Sequence, residues 1–239
     1  MNIKSDLQIL IRQVVILTIS NLKSRYRNTW AGYLWVILNP LFLYTAQSYV
    51  FYFVLRIDIR NYPLYLALGL LPWIFLVSSN EMSTSSLVVS SRMLKSFPVR
   101  PLALIFAQIA DNFINYLSAF VLLLIPIGLY TKWPMFNLIY LALPLLSLFI
   151  FVSSFCFLTA QVNVFFRDAR FILNFLFQVG FFITPIFYYL IKPFQILNFE
   201  FTLQQYFKEV AHSWLVSLAV LLISTYFWRK NRNALYFKF

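Results

Sequence analysis

One cysteine, one histidine, four glycines and seven acidic residues are all that 239 residues supply of four groups on which catalysis and redox chemistry usually draw. Cys156 has no second cysteine to pair with, so no intramolecular disulfide exists and none can argue for a compartment. No GxxxxGK[ST] stretch occurs, and Gly32, Gly69, Gly128 and Gly180 stand far apart. A phosphate-cradling loop cannot be built from them, so any ATP this protein uses must be bound by another chain. His212 follows Glu209 at the Glu-x-x-His spacing of helix-bundle metal sites, but such sites need a second copy and more carboxylates. No DxD pair is present for a nucleotide-sugar metal, and a Ser/His/Asp arrangement would have to use His212 on the outer side with Asp58 as the acid on that side, for which nothing speaks. The expectation is therefore no catalytic residue, no metal site and no cofactor held by this chain.

What the chain has in excess is apolar surface: 62% of it is hydrophobic, 21% aromatic and only 11% charged. Soluble domains are about half apolar and about a quarter charged, and a soluble core could not absorb the surplus. Lipid as solvent removes the problem. Six continuous apolar runs approach or exceed the roughly 20 residues needed to cross a bilayer: 33–55, 64–80, 102–130, 136–164, 171–191 and 210–228. The second is short, and the third and fourth are long enough to tilt or to run past the membrane surface. Barrel strands would alternate in character, which these runs do not. The N-terminal MNIKSDLQILIRQVV is broken by charges and has no small-residue cleavage site, so insertion rests on the spans themselves.

The formal net charge is +12, yet the basic residues sit between the apolar runs rather than in one patch, which argues against nucleic acid as a partner. Lys4, Arg12, Lys23, Arg25, Arg27, Arg92, Lys95, Arg100, Arg167, Arg170, Arg229, Lys230, Arg232 and Lys238 are fourteen cations on one side. Arg56, Arg60, Lys132, Lys192 and Lys208 are five on the other. That bias predicts that both termini are cytoplasmic, which six spans allow. Over the first thirty residues Leu7, Leu10, Ile11, Val14, Val15 and Leu22 share a helical face, with Arg12, Lys23 and Arg27 away from it. This predicts an amphipathic helix in the membrane interface, its cations toward anionic headgroups. The outer segment 192–209 carries Phe194, Ile196, Leu197, Phe199, Phe201, Leu203, Tyr206 and Phe207, too apolar for a solvated loop. It is expected to re-enter the bilayer or lie on its surface.

Polar groups inside a span mark function or a satisfied contact between helices. Asp111 lies nine residues into the third run, roughly 14 Å at 1.5 Å per residue, with Asn112 and Asn115 beside it. It either lines a pathway or pivots there, or it is paired, with Asn80 or an interfacial arginine as partner. Aromatic clusters containing Tyr49, and Phe182 with Tyr188, would suit the apolar faces of sugar rings, although interfacial and lipid-facing aromatics are ordinary in membranes. Two basic-side loops look like contact surfaces. In one, Ser91, Arg92, Leu94, Lys95, Phe97, Pro98 and Arg100 mix charge with apolar groups, and Pro98 and Pro101 stiffen the approach to the third span. A short exposed helix of this kind can dock into a groove on a soluble partner. In the other, Phe166, Arg167 and Asp168 offer a charge pair that could close on itself or hold a partner.

At these loops the sequence resembles the membrane subunit of the ABC-2 type exporters of O-antigen, capsular polysaccharide and teichoic acid. The matching pieces are KSRYRNTWAGYLWVILNP at 23–40, LGLLPWIF at 68–75, LKSFPVRP at 94–101, VNVFFRD at 162–168 and FFITPIFY at 181–188. Their order and spacing together carry the resemblance, which covers roughly residues 8 to 190. It implies an all-α integral membrane protein of six transmembrane helices, with an N-terminal interface helix and a re-entrant segment before the last span. The organisation would be a single transmembrane domain over 1–239: the interface helix to residue 32, five spans over 33–191, the outer segment 192–209, then the last span and a tail. It also implies a second copy of the chain, two copies of a soluble ATPase holding ATP and Mg, a lipid-linked polysaccharide as cargo, and a place in the bacterial inner membrane. By the same resemblance residues 91–100 would be the ATPase-coupling loop. Lys23, Arg25, Tyr26 and Arg27 would belong to the interface helix, with Arg25 and Arg27 near the ATPase. Phe166, Arg167 and Asp168 would stand at the inner end of span 5, and aromatics would line the glycan path. The family's usual Asn-Pro pair before the last span has no counterpart in LNFEFTLQQY at 197–206. The rival readings are a membrane-embedded glycosyl- or acyltransferase, which would need clustered carboxylates or a His with an acid, and a passive channel.

Overall fold

The computed structural model describes residues 3–25, 62–130, 140–183 and 202–238, together with residues 34, 35, 38, 42, 45, 46 and 49. Most of the expected first span, most of the expected outer segment, and Tyr26, Arg27 and Tyr188 lie outside the described residues. Every regular element among the described residues is helical: α1 (Ile3–Arg25), α2 (Tyr62–Val89), α3 (Ser91–Ser96), α4 (Pro101–Tyr130), α5 (Ala142–Phe165), α6 (Ala169–Ile183) and α7 (Leu203–Lys238).

The described stretches Pro101–Leu122, Ala142–Phe165 and Leu203–Asn231 are long and apolar enough to cross a membrane. They fall in the third, fourth and sixth expected spans. The second helix is longer than the run 64–80 that predicted it, because the Ser/Thr-rich tail returns its hydroxyls to its own helix. Ser83 Oγ donates to Ser79 O at 2.6 Å, Ser85 Oγ to Glu81 O at 3.1 Å and Ser86 Oγ to Ser83 O at 2.6 Å. Polar side chains used in this way do not end a helix. The last helix also starts early. Residues 203–209, expected to belong to an outer segment, are the first turns of α7, fixed by Tyr206, whose hydroxyl donates to Tyr140 O. α6 spans 15 described residues, and the remainder of the expected run to 191 lies outside them.

The bundle is built around α5, which packs against α2, α4, α6 and α7. Leu148, Phe151, Val152, Cys156, Phe157 and Ala160 are its buried apolar side chains. Rings interlock across the seams: Phe113 on Phe149, Phe106 on Phe157, Phe155 on Phe177, and Phe157 on Trp228. Helices in lipid gain little from apolar burial against one another, so small and polar residues decide register. Two such seams join α5 to its neighbours among the described residues. Ser147 Oγ donates to Ser213 Oγ at 2.9 Å, and Ser217 Oγ donates to Ser147 O at 2.9 Å, joining α5 to α7. Thr159 Oγ1 donates to Asn80 Oδ1 at 2.8 Å, and Asn163 Nδ2 to Thr84 O at 2.9 Å, joining α5 to α2. Away from these seams α7 turns Leu215, Leu218, Leu222, Ile223 and Tyr226 outward, and α6 does the same with Phe171, Ile172, Phe175 and Leu176. An apolar surface this continuous belongs in lipid or against another chain.

Candidate coupling surface and its polar ties

The loop 91–100 is shaped by its own sequence. α2 ends at Val89, and α3 begins after a turn in which Leu94 N–H donates to Ser90 O at 3.0 Å. Pro98 disfavours the helical region for Phe97, so α3 stops after one and a half turns. A tight turn follows, with Val99 N–H donating to Phe97 O at 2.8 Å. Pro101 then opens α4 at the first helical position, where the missing N–H costs nothing. Leu94 anchors the loop on the core, while Lys95, Ser96, Phe97 and Pro98 are exposed, Phe97 at 62%. Ser91 is half-buried, and Arg92 stands on helical backbone.

Arg100 does not project with them. It turns back onto α1, where its Nη2 lies 2.6 Å from Asp6 Oδ1 and its Nη1 donates to Asp6 O at 2.7 Å. The backbone N–H of Arg100 donates to Gln13 Oε1 at 3.2 Å, and Gln13 Nε2 donates to Pro98 O at 2.9 Å. The N-terminal half of α1 therefore grips both sides of the loop. Further along, Thr18 Oγ1 lies 3.4 Å from Ala107 O. At the far end Arg25 pairs with Asp111, reaches Asn112 Oδ1 at 3.4 Å and touches Met82 Sδ at 3.0 Å. Asp111 is fully buried, and its other oxygen has no hydrogen-bond partner among the described residues. Asn80 faces Thr159 of α5 instead, and Asn115 is half-buried one turn beyond Asp111.

α1, the expected interface helix, divides its apolar residues differently from the expected single face. Leu10, Val14, Leu17 and Leu22 are half-buried on the side that packs on α4, and Leu7, Ile9, Ile11, Val15, Ile16 and Ile19 are exposed. Arg12, Ile16, Ile19 and Lys23 follow at helical spacing on that outer side, so two cations lie among the exposed apolar groups rather than opposite them. Ile16, Ile19, Ser20, Lys23 and Ser24 line an open depression of about 330 Å³.

At the other loop Phe166 closes α5 in an extended conformation, with its N–H on Val162 O at 2.9 Å, and Phe166, Arg167 and Asp168 are all exposed. Arg170, one residue into α6, lies 3.9 Å from Glu81. Glu209 and His212 lie 3.9 Å apart along α7, and among the described residues no three His, Cys, Asp or Glu gather into a metal-binding group. Of the aromatic candidates, Tyr49 is exposed, and Phe182 stands on the helical backbone of α6.

The profile of the ABC-2 type transporter family matches residues 12–195, which includes the loop, Asp111 and α5. The chain belongs to that family. Among curated relatives of this ABC-2 chain is an O-antigen export system permease protein RfbA of Myxococcus xanthus, 30% identical over 169 residues, covering 70% of this chain and 64% of the relative. Two from Klebsiella pneumoniae carry the same description, each 28% identical, over 189 and 192 residues, and cover 77% and 79% of this chain and 72% and 73% of their own. The chain thus spans about two thirds to three quarters of the length of these relatives. They agree with the resemblance to polysaccharide-export permeases seen in the motifs. ABC-2 membership, together with three apolar helices of spanning length among the described residues, makes this a multi-pass membrane protein of the transporter class.

The motifs did not reveal the gripping residues. Asp6 and Gln13 were unremarkable polar positions on an amphipathic helix, and the Ser147–Ser213–Ser217 and Asn80–Thr159 seams were single polar residues scattered in apolar runs. Spacing offers one signal: Asp6, Gln13, Thr18 and Arg25 keep to the side of α1 away from Ile16 and Ile19.

Proposed function

We propose that this chain is the permease half of an ATP-driven exporter that moves lipid-linked polysaccharide of the O-antigen type across a bacterial inner membrane. It acts as two copies, with two copies of a separate ATPase chain that bind ATP and Mg. Six spans and two cytoplasmic termini complete the arrangement. The observation that carries this reading is the loop tip Lys95–Ser96–Phe97–Pro98, exposed at the end of the bundle where Lys and Arg accumulate. Its surface of one cation, one large ring and one proline suits a groove on a soluble partner.

The length of α4 supports the orientation. Its 30 residues extend about 45 Å against a hydrocarbon layer of about 30 Å. With little tilt about ten residues project, and Asp111 stands ten residues from Pro101. Arg25, Glu81 and Arg170 lie at the same level, linked through Met82 and Asn112. Such a belt of charge fits the inner edge of the hydrocarbon layer, with the loop on the cytoplasmic side. The outer isoleucines of α1 then lie in the interface, and Arg12 and Lys23 reach anionic headgroups.

A cysteine at Ser96 tests the reading. It should react with a membrane-impermeant maleimide only after cells are opened, and the chain should co-purify with an ATPase whose activity rises with lipid-linked O-polysaccharide. Labelling of Ser96→Cys in intact cells would overturn the assignment.

A further inference from the structure

We infer that Asp6 and Gln13 are positioning residues, which hold the loop Phe97–Arg100 in its docking pose and make α1 and the loop one mechanical unit. The inference rests on the loop being where the ATPase docks. Four polar contacts join two residues of α1 to two of the loop. Arg100 is held by the carboxylate and the carbonyl of Asp6, its N–H by Gln13 Oε1, and Pro98 O by Gln13 Nε2. The Arg100 contacts are charge-assisted and two-pronged, and so fix direction as well as distance. Gln13 acts as a brace, since its amide donates to one side of the Pro98–Arg100 turn and accepts from the other.

Without these contacts the loop would be tethered only by the short α3 and the first turn of α4. Lys95 and Phe97 are exposed, and α1 holds the turn that follows them through Arg100 and Pro98. The opposite end of α1 is fixed to mid-α4 by Arg25, which pairs with Asp111. A push on the loop therefore has two routes into the bundle. One runs straight up α4, and the other runs along α1 and arrives about three turns further up α4, at a buried carboxylate. A rigid helix tied at both ends resists hinge motion between loop and span, so the stroke should move the helix level with Asp111 and not merely flex the loop.

The test uses the whole chain with its ATPase in cells that depend on it for surface glycan. Asp6→Arg should lower surface glycan at least about tenfold, the factor equivalent to 1.4 kcal/mol, with assembly and ATP hydrolysis retained. The charge swap Asp6→Arg with Arg100→Asp should recover most of the export. In membranes, a cysteine at Ser96 should react faster in Asp6→Arg or Gln13→Ala and return to its original rate in the swap. Cysteines at positions 6 and 100, joined by a short bifunctional thiol reagent, should export once joined; the buried Cys156 should not compete. Wild-type export and Ser96 labelling in Asp6→Arg would overturn the inference, as would arrest of export by the cross-link. A protein that exports nothing even unmodified, or whose Ser96 faces outward, overturns the functional reading and this inference with it.

Discussion

Arg25→Ala would leave the Asp111 carboxylate fully buried and without its cation. Removing one partner of a buried ion pair costs about 3–5 kcal/mol, because the remaining charge is uncompensated. Arg25 keeps 26% of its side chain exposed, so water already screens part of the pair and the lower end applies. At about 2–4 °C per kcal/mol for chains of this size, a loss of about 3 kcal/mol lowers Tm by about 6–12 °C. Arg25→Lys should fall between, since an ammonium on a shorter stem cannot reach Asp111, Asn112 and Met82 together. The decisive variant is Arg25→Met with Asp111→Leu, which removes both charges at similar volume and should sit within about 1 kcal/mol of the parent. The assay is thermal unfolding of the purified protein in nanodiscs, read by tryptophan fluorescence. An Arg25→Ala protein with unchanged Tm, or a double variant as unstable as the single one, would refute the argument that Arg25 serves to neutralise Asp111.

Ser217→Ala removes one link between α5 and α7 and should cost about 0.6 kcal/mol, with about 1.7 kcal/mol as the upper end for such bonds in lipid; thermal unfolding in nanodiscs measures it. Thr159→Val removes one of the two donors to Asn80 Oδ1 and leaves Thr84 Oγ1 at 3.2 Å, so it should cost no more than about 1.7 kcal/mol in the same measurement. Phe97→Ala should leave Tm unchanged, since the ring is 62% exposed, yet weaken co-purification of the ATPase. Leu222→Lys, on the outward face of α7, should lower insertion by about 2.5–3.5 kcal/mol if that face meets lipid at the middle of the span, as measured by glycosylation-mapped insertion.

Composition and periodicity alone determined that this protein is helical and membrane-embedded, because a chain 62% hydrophobic and 11% charged has no soluble alternative. The same reading located the loop at 91–100, since Pro98 and Pro101 act on their neighbours through local sterics. It also placed Asp111 as a polar residue needing an explanation. Helix ends were less legible. The apolar run that predicted α2 stops at residue 80, because nothing in a sequence says that the hydroxyls beyond it will return to i−3 and i−4 carbonyls of the same helix. The start of α7 at Leu203 depends on Tyr206 meeting Tyr140 across 66 residues.

What tertiary structure alone decided is which polar groups meet. Arg25 and Asp111 are separated by 86 residues, Asp6 and Arg100 by 94, and Ser147 and Ser217 by 70. In lipid almost any apolar residue can face any neighbour at similar cost, so apolar pattern says little about partners. Hydrogen bonds and ion pairs are directional and few, and only the packed helices bring each donor to its acceptor.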